Sequence, residues 1–172
     1  VYRFSFGPWN IHEGEDPFGP PVRKPIEFGK KLKLYKKLGF DGVQFHDDDA
    51  VPDIESKTHD QIMKEAKAVR KALDNEGLQA EFVAPRLWFS PDTIDGGYTN
   101  NDPKMRKSAI DRTKTTIDIA NVLGTNKIVL WLAREGTYIR ESKNAREAVL
   151  QIRDAINEML AHDANVRILI EP

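Results

Sequence analysis

Apolar positions along the chain follow two alternating rhythms. Five short runs are dense in β-branched and aromatic residues: Arg3–Trp9, Gly42–His46, Leu78–Val83, Lys127–Leu132 and Arg167–Glu171. Such runs read as buried strands. Between them the apolar spacing is helical. Ile26–Leu38 places Ile26, Leu32, Leu34, Tyr35 and Leu38 largely on one face, and Gly39 ends it. Thr58–Glu76 starts from a Thr-His-Asp turn, carries Ile62, Ala66, Val69, Ala72 and Leu73 as its stripe, and closes at Gly77. Asp102-Pro103 opens a third helix with proline at its first position; Ile110, Ile117, Ala120 and Leu123 follow, and Gly124 stops it. Ser142–Ala161 is the fourth, with Ala145, Val149, Ile152, Ile156 and Leu160 as its apolar face.

Strand starts near residues 3, 42, 78, 127 and 167 mark a repeating strand-and-helix unit. Strands that alternate with helices need parallel crossovers, which leaves a doubly wound open sheet or a (β/α)8 barrel. No Gly-x-Gly-x-x-Gly follows any strand, which counts against a dinucleotide-binding sheet. Polar residues sit instead at the C-terminal end of strand after strand, where barrel active sites lie. The expected class is α/β, a TIM (β/α)8 barrel truncated to about five strands and four helices, with residues 1–172 as one partial barrel domain. The chain opens at Val1 without a methionine and stops inside the run Arg167-Ile-Leu-Ile-Glu-Pro172, so both ends read as cut.

Composition narrows the class further. The 172 residues carry 26 basic and 27 acidic side chains, intermixed, for a net charge of −1. That balance lacks the positive excess of a nucleic-acid or membrane-surface partner. No apolar stretch reaches the roughly 20 residues of a membrane span, and no leader opens the chain. Cysteine is absent, which excludes disulfides and thiolate metal sites. A soluble, cytoplasmic protein is the expectation.

The chemistry-bearing residues cluster at strand ends. Phe45-His-Asp-Asp-Asp49 closes the second strand. His46 there points into a barrel mouth, and Asp49 can fold back to its far ring nitrogen, fixing the tautomer. The rival reading is a solvated acidic loop capping the next helix. Glu171 closes the fifth strand; a carboxylate there is costly unless paired or metal-bound, and hard divalent ions want such oxygens. Its rival is a partly exposed glutamate at a strand mouth. Trp9, Trp88 and Trp131 follow the first, third and fourth strands. Tryptophans mostly serve cores or interfaces, but three at strand ends can line one sugar-binding wall. His12 and Glu13 lie in the loop after the first strand, and His59 and His162 read as surface residues near helix ends. Asp95-Gly-Gly97 is a turn signal. Arg134-Glu135-Gly136 is either a loop ion pair or a loop fixed against a partner subunit.

Taken together, Phe4-Ser-Phe-Gly7, Asp16-Pro-Phe-Gly19, Phe45-His-Asp-Asp-Asp49, Asp95-Gly-Gly-Tyr-Thr-Asn-Asn-Asp102, Trp131, Arg134-Glu-Gly136 and Ile170-Glu-Pro172 resemble the xylose (glucose) isomerases, in their shorter-chain branch. These segments come in the family's order over nearly the whole chain. The resemblance implies an aldose–ketose isomerase that interconverts xylose and xylulose, or glucose and fructose, by a hydride shift after ring opening. It implies two divalent ions, magnesium, manganese or cobalt. His46 would assist opening of the pyranose, with Asp49 orienting it; Trp88 and Trp131 would form the apolar wall; Glu171 would be a ligand of the first metal, the only ligand this segment supplies. A tetramer is implied, with the Asp95–Asp102 loop crossing to a neighbour and offering Tyr98 or a nearby aromatic.

Three departures bear on activity. A second tryptophan common in the family after the first strand is replaced by His12 or its neighbour, in a loop one residue short. A threonine after the third strand is Ala84. A lysine two places after the strand-five glutamate, and the later metal ligands, lie beyond Pro172. Rival readings are another divalent-metal sugar isomerase or epimerase, a sugar-binding remnant, and a half-barrel that self-associates through its open edges.

Overall fold

The computed structural model describes residues 2–11, 22–137 and 139–172. His12, Glu13 and Asp16–Gly19 lie outside the described residues. Five strands, β1 (Ser5–Phe6), β2 (Gly42–His46), β3 (Gln79–Ala84), β4 (Lys127–Trp131) and β5 (Arg167–Glu171), form one sheet. Every pair is parallel and the spatial order is the chain order, β1-β2-β3-β4-β5. A doubly wound sheet would reverse its order partway; a barrel wall does not. The fold is a truncated α/β barrel.

Four long helices cover one face: α1 (Phe28–Lys37), α3 (His59–Glu76), α4 (Pro103–Leu123) and α5 (Ala145–His162), with a one-turn helix α2 (Asp47–Ala50) directly after β2. Side-chain acceptors set their starts. Glu27 accepts from the backbone of Gly29 and Lys30, Thr58 from Gln61, Asp102 from Lys104, and Asn144 from Arg146 and Glu147. Gly77 and Gly124 end α3 and α4 in the left-handed region, at φ of 63° and 83°.

Strand periodicity divides the sheet into two chemically different faces. Val43, Phe45, Val83, Ile128 and Leu130 point at the helices and are buried with Tyr35, Leu73, Ile117 and Met159. The alternate positions, Ser5, Gln44, Phe82, Val129 and Leu169, line the concave inner face with Lys127 and Glu81. The core is therefore the sheet–helix layer, and the inner face is left for polar and aromatic side chains.

Several sequence expectations shift. The first strand is only Ser5–Phe6, because Pro8 cannot donate to a ladder and turns the chain into a short 3-10 helix, Pro8–Asn10. The third begins one residue later, at Gln79. Ile26 precedes α1, and Leu34 and Leu38 are exposed; its buried stripe is Leu32 and Tyr35 with Phe28 beside them. In α5 the buried residues are Ala155 and Met159, flanked by Ile152 and Ile156, whereas Ala145, Val149 and Leu160 face outward. The expected α1 stripe holds the two buried residues, Leu32 and Tyr35, but is too wide, while in α5 the contact face is offset by one position, from Ile156 and Leu160 to Ala155 and Met159. The stripes of the two central helices, α3 and α4, stand as expected.

Tyr35 is fully buried, and its hydroxyl has no hydrogen-bond partner among the described residues. Burial, with the nearby negative Asp49, pushes its pKa up to about 12. An unfolded tyrosine ionises near 10, so the unfolded chain releases this proton first. Stability is consequently expected to fall as pH rises through 10 toward 12. Tyr35→Phe should flatten that slope in urea melts and leave neutral-pH stability unchanged or higher by up to about 1–3 kcal/mol. A loss instead would mean that the hydroxyl is bonded.

Candidate active site

The site is assembled where the sequence changes from strand to loop. At the end of β2 the chain turns straight into α2, and Asp49 folds back over that turn. Its Oδ2 accepts from the His46 backbone N–H at 2.9 Å and lies 3.0 Å from His46 Nδ1. The three consecutive aspartates then part company. Asp47 points away from the inner face into the helix layer and is fully buried. Its carboxylate accepts from Arg112 Nε (2.7 Å) and Nη2 (3.0 Å), from Thr116 Oγ1 (3.2 Å), and from the backbone N–H of Asp48 (2.9 Å) and Arg86 (3.0 Å). Arg112 also reaches Glu55 at 2.6 Å.

Asp48 and Asp49 both face the Arg86 side chain, on the loop after β3. Arg86 Nη2 donates to Asp49 Oδ1 at 3.1 Å and lies 2.6 Å from His46 Nδ1. Arg86 Nε is 2.9 Å from Asp48 Oδ1, out of line for a hydrogen bond, so this is an ion contact whose two buried atoms have no aligned partner. The guanidinium carbon stands 5.9 Å from the centre of the Phe89 ring. Burial raises the pKa of Asp48, against the pull of Arg86. Burial also opposes ionisation of Asp49, yet the hydrogen bonds from the His46 ring and backbone and the charge of Arg86 outweigh it and hold its pKa below the ordinary value. Burial lowers and Asp47 raises the pKa of Arg112, and Asp47 prevails. Arg86 escaped the sequence reading. The available signal was a lone cation just past a strand end, facing an acidic triplet from the neighbouring strand.

Aromatic rings close the site. Trp9 packs on the His46 ring at 4.3 Å between centroids, Trp88 meets it edge-on at 5.2 Å, and Trp88 meets Trp131 edge-on at 4.4 Å. Parallel register explains the grouping, because paired residues share a face: His46 sits beside Ala84, and Trp131 beside Glu171. The small Ala84 leaves the imidazole uncrowded. Trp9, His46, Phe82, Ala84, Arg86, Trp88, Phe89, Val129, Trp131 and Glu171 line one cavity of about 400 Å³. All five strand ends contribute to it, and it holds every tryptophan of the chain.

His46, Asp48 and Asp49 are the single group among the described residues that brings three ligand atoms within 4.8 Å. Arg86 already serves as their cation, so a metal there would have to displace a guanidinium from two carboxylates. Glu171 belongs to no such group. A hard divalent ion takes about six oxygens, and the described residues do not assemble such a shell around Glu171.

Other expectations resolve within the chain. Tyr98 is buried, with its hydroxyl 2.7 Å from Thr113 Oγ1, and is not an exposed tip offered to a neighbour. Its loop is pinned from inside: Glu135 accepts from the backbone N–H groups of Gly97, Tyr98 and Thr99 at 2.8–3.0 Å, and Lys143 bonds the carbonyls of Asp95 and Thr99. Arg134 donates to the Ser90 carbonyl at 3.2 Å, so Arg134 and Glu135 are not paired with each other there. His162 pairs with Asp118 at 2.8 Å, and His59 is largely exposed. No described helix is long and apolar enough to cross a membrane.

Comparison with known proteins adds a second line. The sequence profile of the xylose isomerase-like TIM barrel family matches residues 32–172. The xylose isomerase of Thermus caldophilus is 36% identical over 166 residues, covering 94% of this chain and 41% of that protein. That of Thermus thermophilus is 34% identical over 163 residues, with the same 94% and 41% coverage. The chain thus spans about two-fifths of the length of these relatives. A crystal structure of 3-keto-D-glucoside 4-epimerase from E. coli superposes with a TM-score of 0.64 at 13% identity, covering 92% of this chain and 54% of that one.

Asp47 ties three segments through one buried carboxylate, which makes its removal costly. Asp47→Ala is expected to destabilise by about 3–5 kcal/mol in urea unfolding, because it removes the buried partner of Arg112, leaving that cation only the exposed Glu55, and takes the acceptor from two backbone N–H groups. Asp47→Asn, which keeps the shape, should cost about 1.5–3 kcal/mol. A cost below about 1 kcal/mol for Asp47→Ala would refute the anchoring role.

Proposed function

The chain belongs to the xylose isomerase-like TIM barrel family, and on that premise we propose that its cavity is the ring-opening and sugar-holding part of an aldose–ketose isomerase site. The observation that carries this is the single cavity in which His46, Trp9, Trp88, Trp131 and Glu171 meet from separate strands. Opening an aldopyranose moves a proton from the anomeric hydroxyl to the ring oxygen. An imidazole within hydrogen-bond reach speeds such transfers by about 10²–10⁴-fold. His46 is that group, and Asp49 and the two flanking tryptophans hold its ring. Trp88 and Trp131, edge to face, present apolar surface to the C–H face of a sugar while leaving its hydroxyls to polar partners.

The whole protein, on this reading, is a cytoplasmic homo-oligomer acting on xylose or glucose with two divalent ions. When bound, the ions would supply electrostatic stabilisation of the charge on the substrate oxygens during transfer of hydrogen between C2 and C1. Glu171 enters as one oxygen ligand, and no step is assigned to the ions from the residues described.

Because the three tryptophans of the chain line the cavity, their fluorescence reports its occupancy. Titration with xylose or xylitol should change the emission saturably, glycerol should not, and Trp131→Ala should weaken the response. No saturable change with any sugar would remove the sugar reading. The reaction is tested by grafting this chain in place of the matching segment of the Thermus caldophilus enzyme. The chimera should isomerise xylose with magnesium or manganese, and His46→Ala should lower kcat by about 100-fold or more. Sugar binding without isomerisation by a folded chimera would leave a binding role and overturn the isomerase.

A further inference from the structure

The loop between β3 and α4 has two faces. Arg86, Trp88 and Phe89 line the tryptophan cavity, whereas Leu87, Ser90 and Thr93 of the same stretch line a separate crevice. That crevice lies in the helix layer, between the start of α3 at Ile62 and the first half of α4 at Met105, Ala109 and Arg112. Its volume is about 470 Å³, within the range of small-molecule sites. Its apolar lining is solid: Ile54, Ile62, Leu87 and Ala109 are each no more than 9% exposed.

Arg112 brings a cation to this lining. Its Nε and Nη2 are spent on the buried Asp47, but Nη1 donates only to Glu55 among the described residues, and the Glu55 side chain is 69% exposed. An ion pair to so exposed a partner contributes about 0–1 kcal/mol, so another acceptor can take its place cheaply. Neighbouring charges offer no such opening. Lys57 is held by Glu65 at 2.8 Å and Asp111 by Lys107 at 2.5 Å, while His59 stands largely in solvent. Exposed Asp92 and a displaced Glu55 disfavour a second negative charge on any ligand.

We propose that this crevice is a second binding site, which takes a monocarboxylate with a short apolar chain, and that the loop links its occupancy to the tryptophan cavity. The carboxylate replaces Glu55 on Arg112 Nη1, and the chain lies against Ile54, Ile62, Leu87 and Ala109. Two bonds make the loop a common wall. The Thr93 hydroxyl donates to the Leu87 carbonyl, and the Arg86 backbone N–H donates at 3.0 Å to Asp47, the carboxylate that Arg112 also grips. A ligand on Arg112 and Leu87 therefore bears on Arg86 and Trp88 from behind. The site itself does not rest on the sugar reading; only the meaning of the link does.

The test is a titration of the nitrogen-15-labelled 172-residue chain with 4-methylpentanoate, followed by NMR with no sugar present. The backbone signals of Leu87, Ser90 and Ala109 should shift saturably, and so should the Trp88 indole N–H, assigned through Trp88→Phe. 4-Methylpentanamide, which lacks the charge, and acetate, which lacks the chain, should each bind about 10-fold or more weakly. Glu55→Gln removes the competing carboxylate and should tighten binding about 2–5-fold. Ser108→Phe, at an exposed position lining the crevice, should abolish binding by filling it. Absence of saturable shifts overturns the site, as does equal binding of the amide or an affinity unchanged in both variants. Saturable shifts at Leu87 and Ala109 with the Trp88 indole unmoved overturn the link. A chain that binds 4-methylpentanoate in this pattern but gives no fluorescence response to any sugar supports the site and refutes the sugar reading alone.

Discussion

The buried carboxylate of Asp47 is the interaction on which the site's geometry depends. It sits at the first residue after β2, where the chain leaves the sheet, and it is fully enclosed. An isolated ionised carboxylate there would be prohibitively costly, so every lone pair must be satisfied. Arg112 and Thr116 from α4 and two backbone N–H groups do this. One of those N–H groups belongs to Arg86, on the loop after β3. A single carboxylate thereby sets the distance between two strand-end loops, and every contact between Arg86 and His46 inherits that distance. Such a pair is weak evidence for net stability but strong evidence for a specified arrangement, because Asp47 without Arg112 would be a buried uncompensated charge, and Arg112 without Asp47 would keep only the exposed Glu55.

From the second strand on, strand location was legible to within a residue because parallel, helix-covered strands leave little choice of residue. Val43, Phe45, Ile128 and Leu130 had to be apolar on the helix face, while His46 and Trp131 fell on the other face by alternation. Helix faces were less legible. In α1 and α5 the chain carries exposed Leu34, Leu38, Val149 and Leu160 at spacings that mimic a stripe; Leu32 and Tyr35 stood among the expected residues of α1, but only packing reveals Met159 in α5. The first strand was over-read because apolar character continued through a proline that ends the ladder.

The candidate site divides in the same way. His46, Asp49, Trp88, Trp131 and Glu171 could be named from position alone, since each closes or directly follows a strand or its first turn. Their roles could not, for a role depends on partners distant in the chain. Arg86 lies 40 residues from His46, and Tyr98 lies 37 from Glu135. That the loop from Asp95 to Asp102 crosses to a neighbour, with Tyr98 or a nearby aromatic at its tip, was implied by the family resemblance and not by the residues themselves. Glu135 instead gathers its successive N–H groups, and Tyr98 turns inward to Thr113.

Placing a guanidinium among His46, Asp48 and Asp49 also settles what the inner face can recruit. A histidine with two carboxylates nearby has the composition of a metal site, yet the positive charge is already built into the chain as the Arg86 side chain and cannot dissociate. Hydrogen bonds from His46 and the charge of Arg86 hold the pKa of Asp49 below its ordinary value, while burial raises that of Asp48 against the pull of the same cation. The acidic strand end is thus committed to orienting an imidazole. Glu171, beside Trp131 in the parallel register, lines the same cavity and has no ion pair of this kind among the described residues. On the proposed reading, proton handling belongs to His46 at the end of β2 and cation holding to Glu171 at the end of β5, two residues that line the same cavity as the three tryptophans.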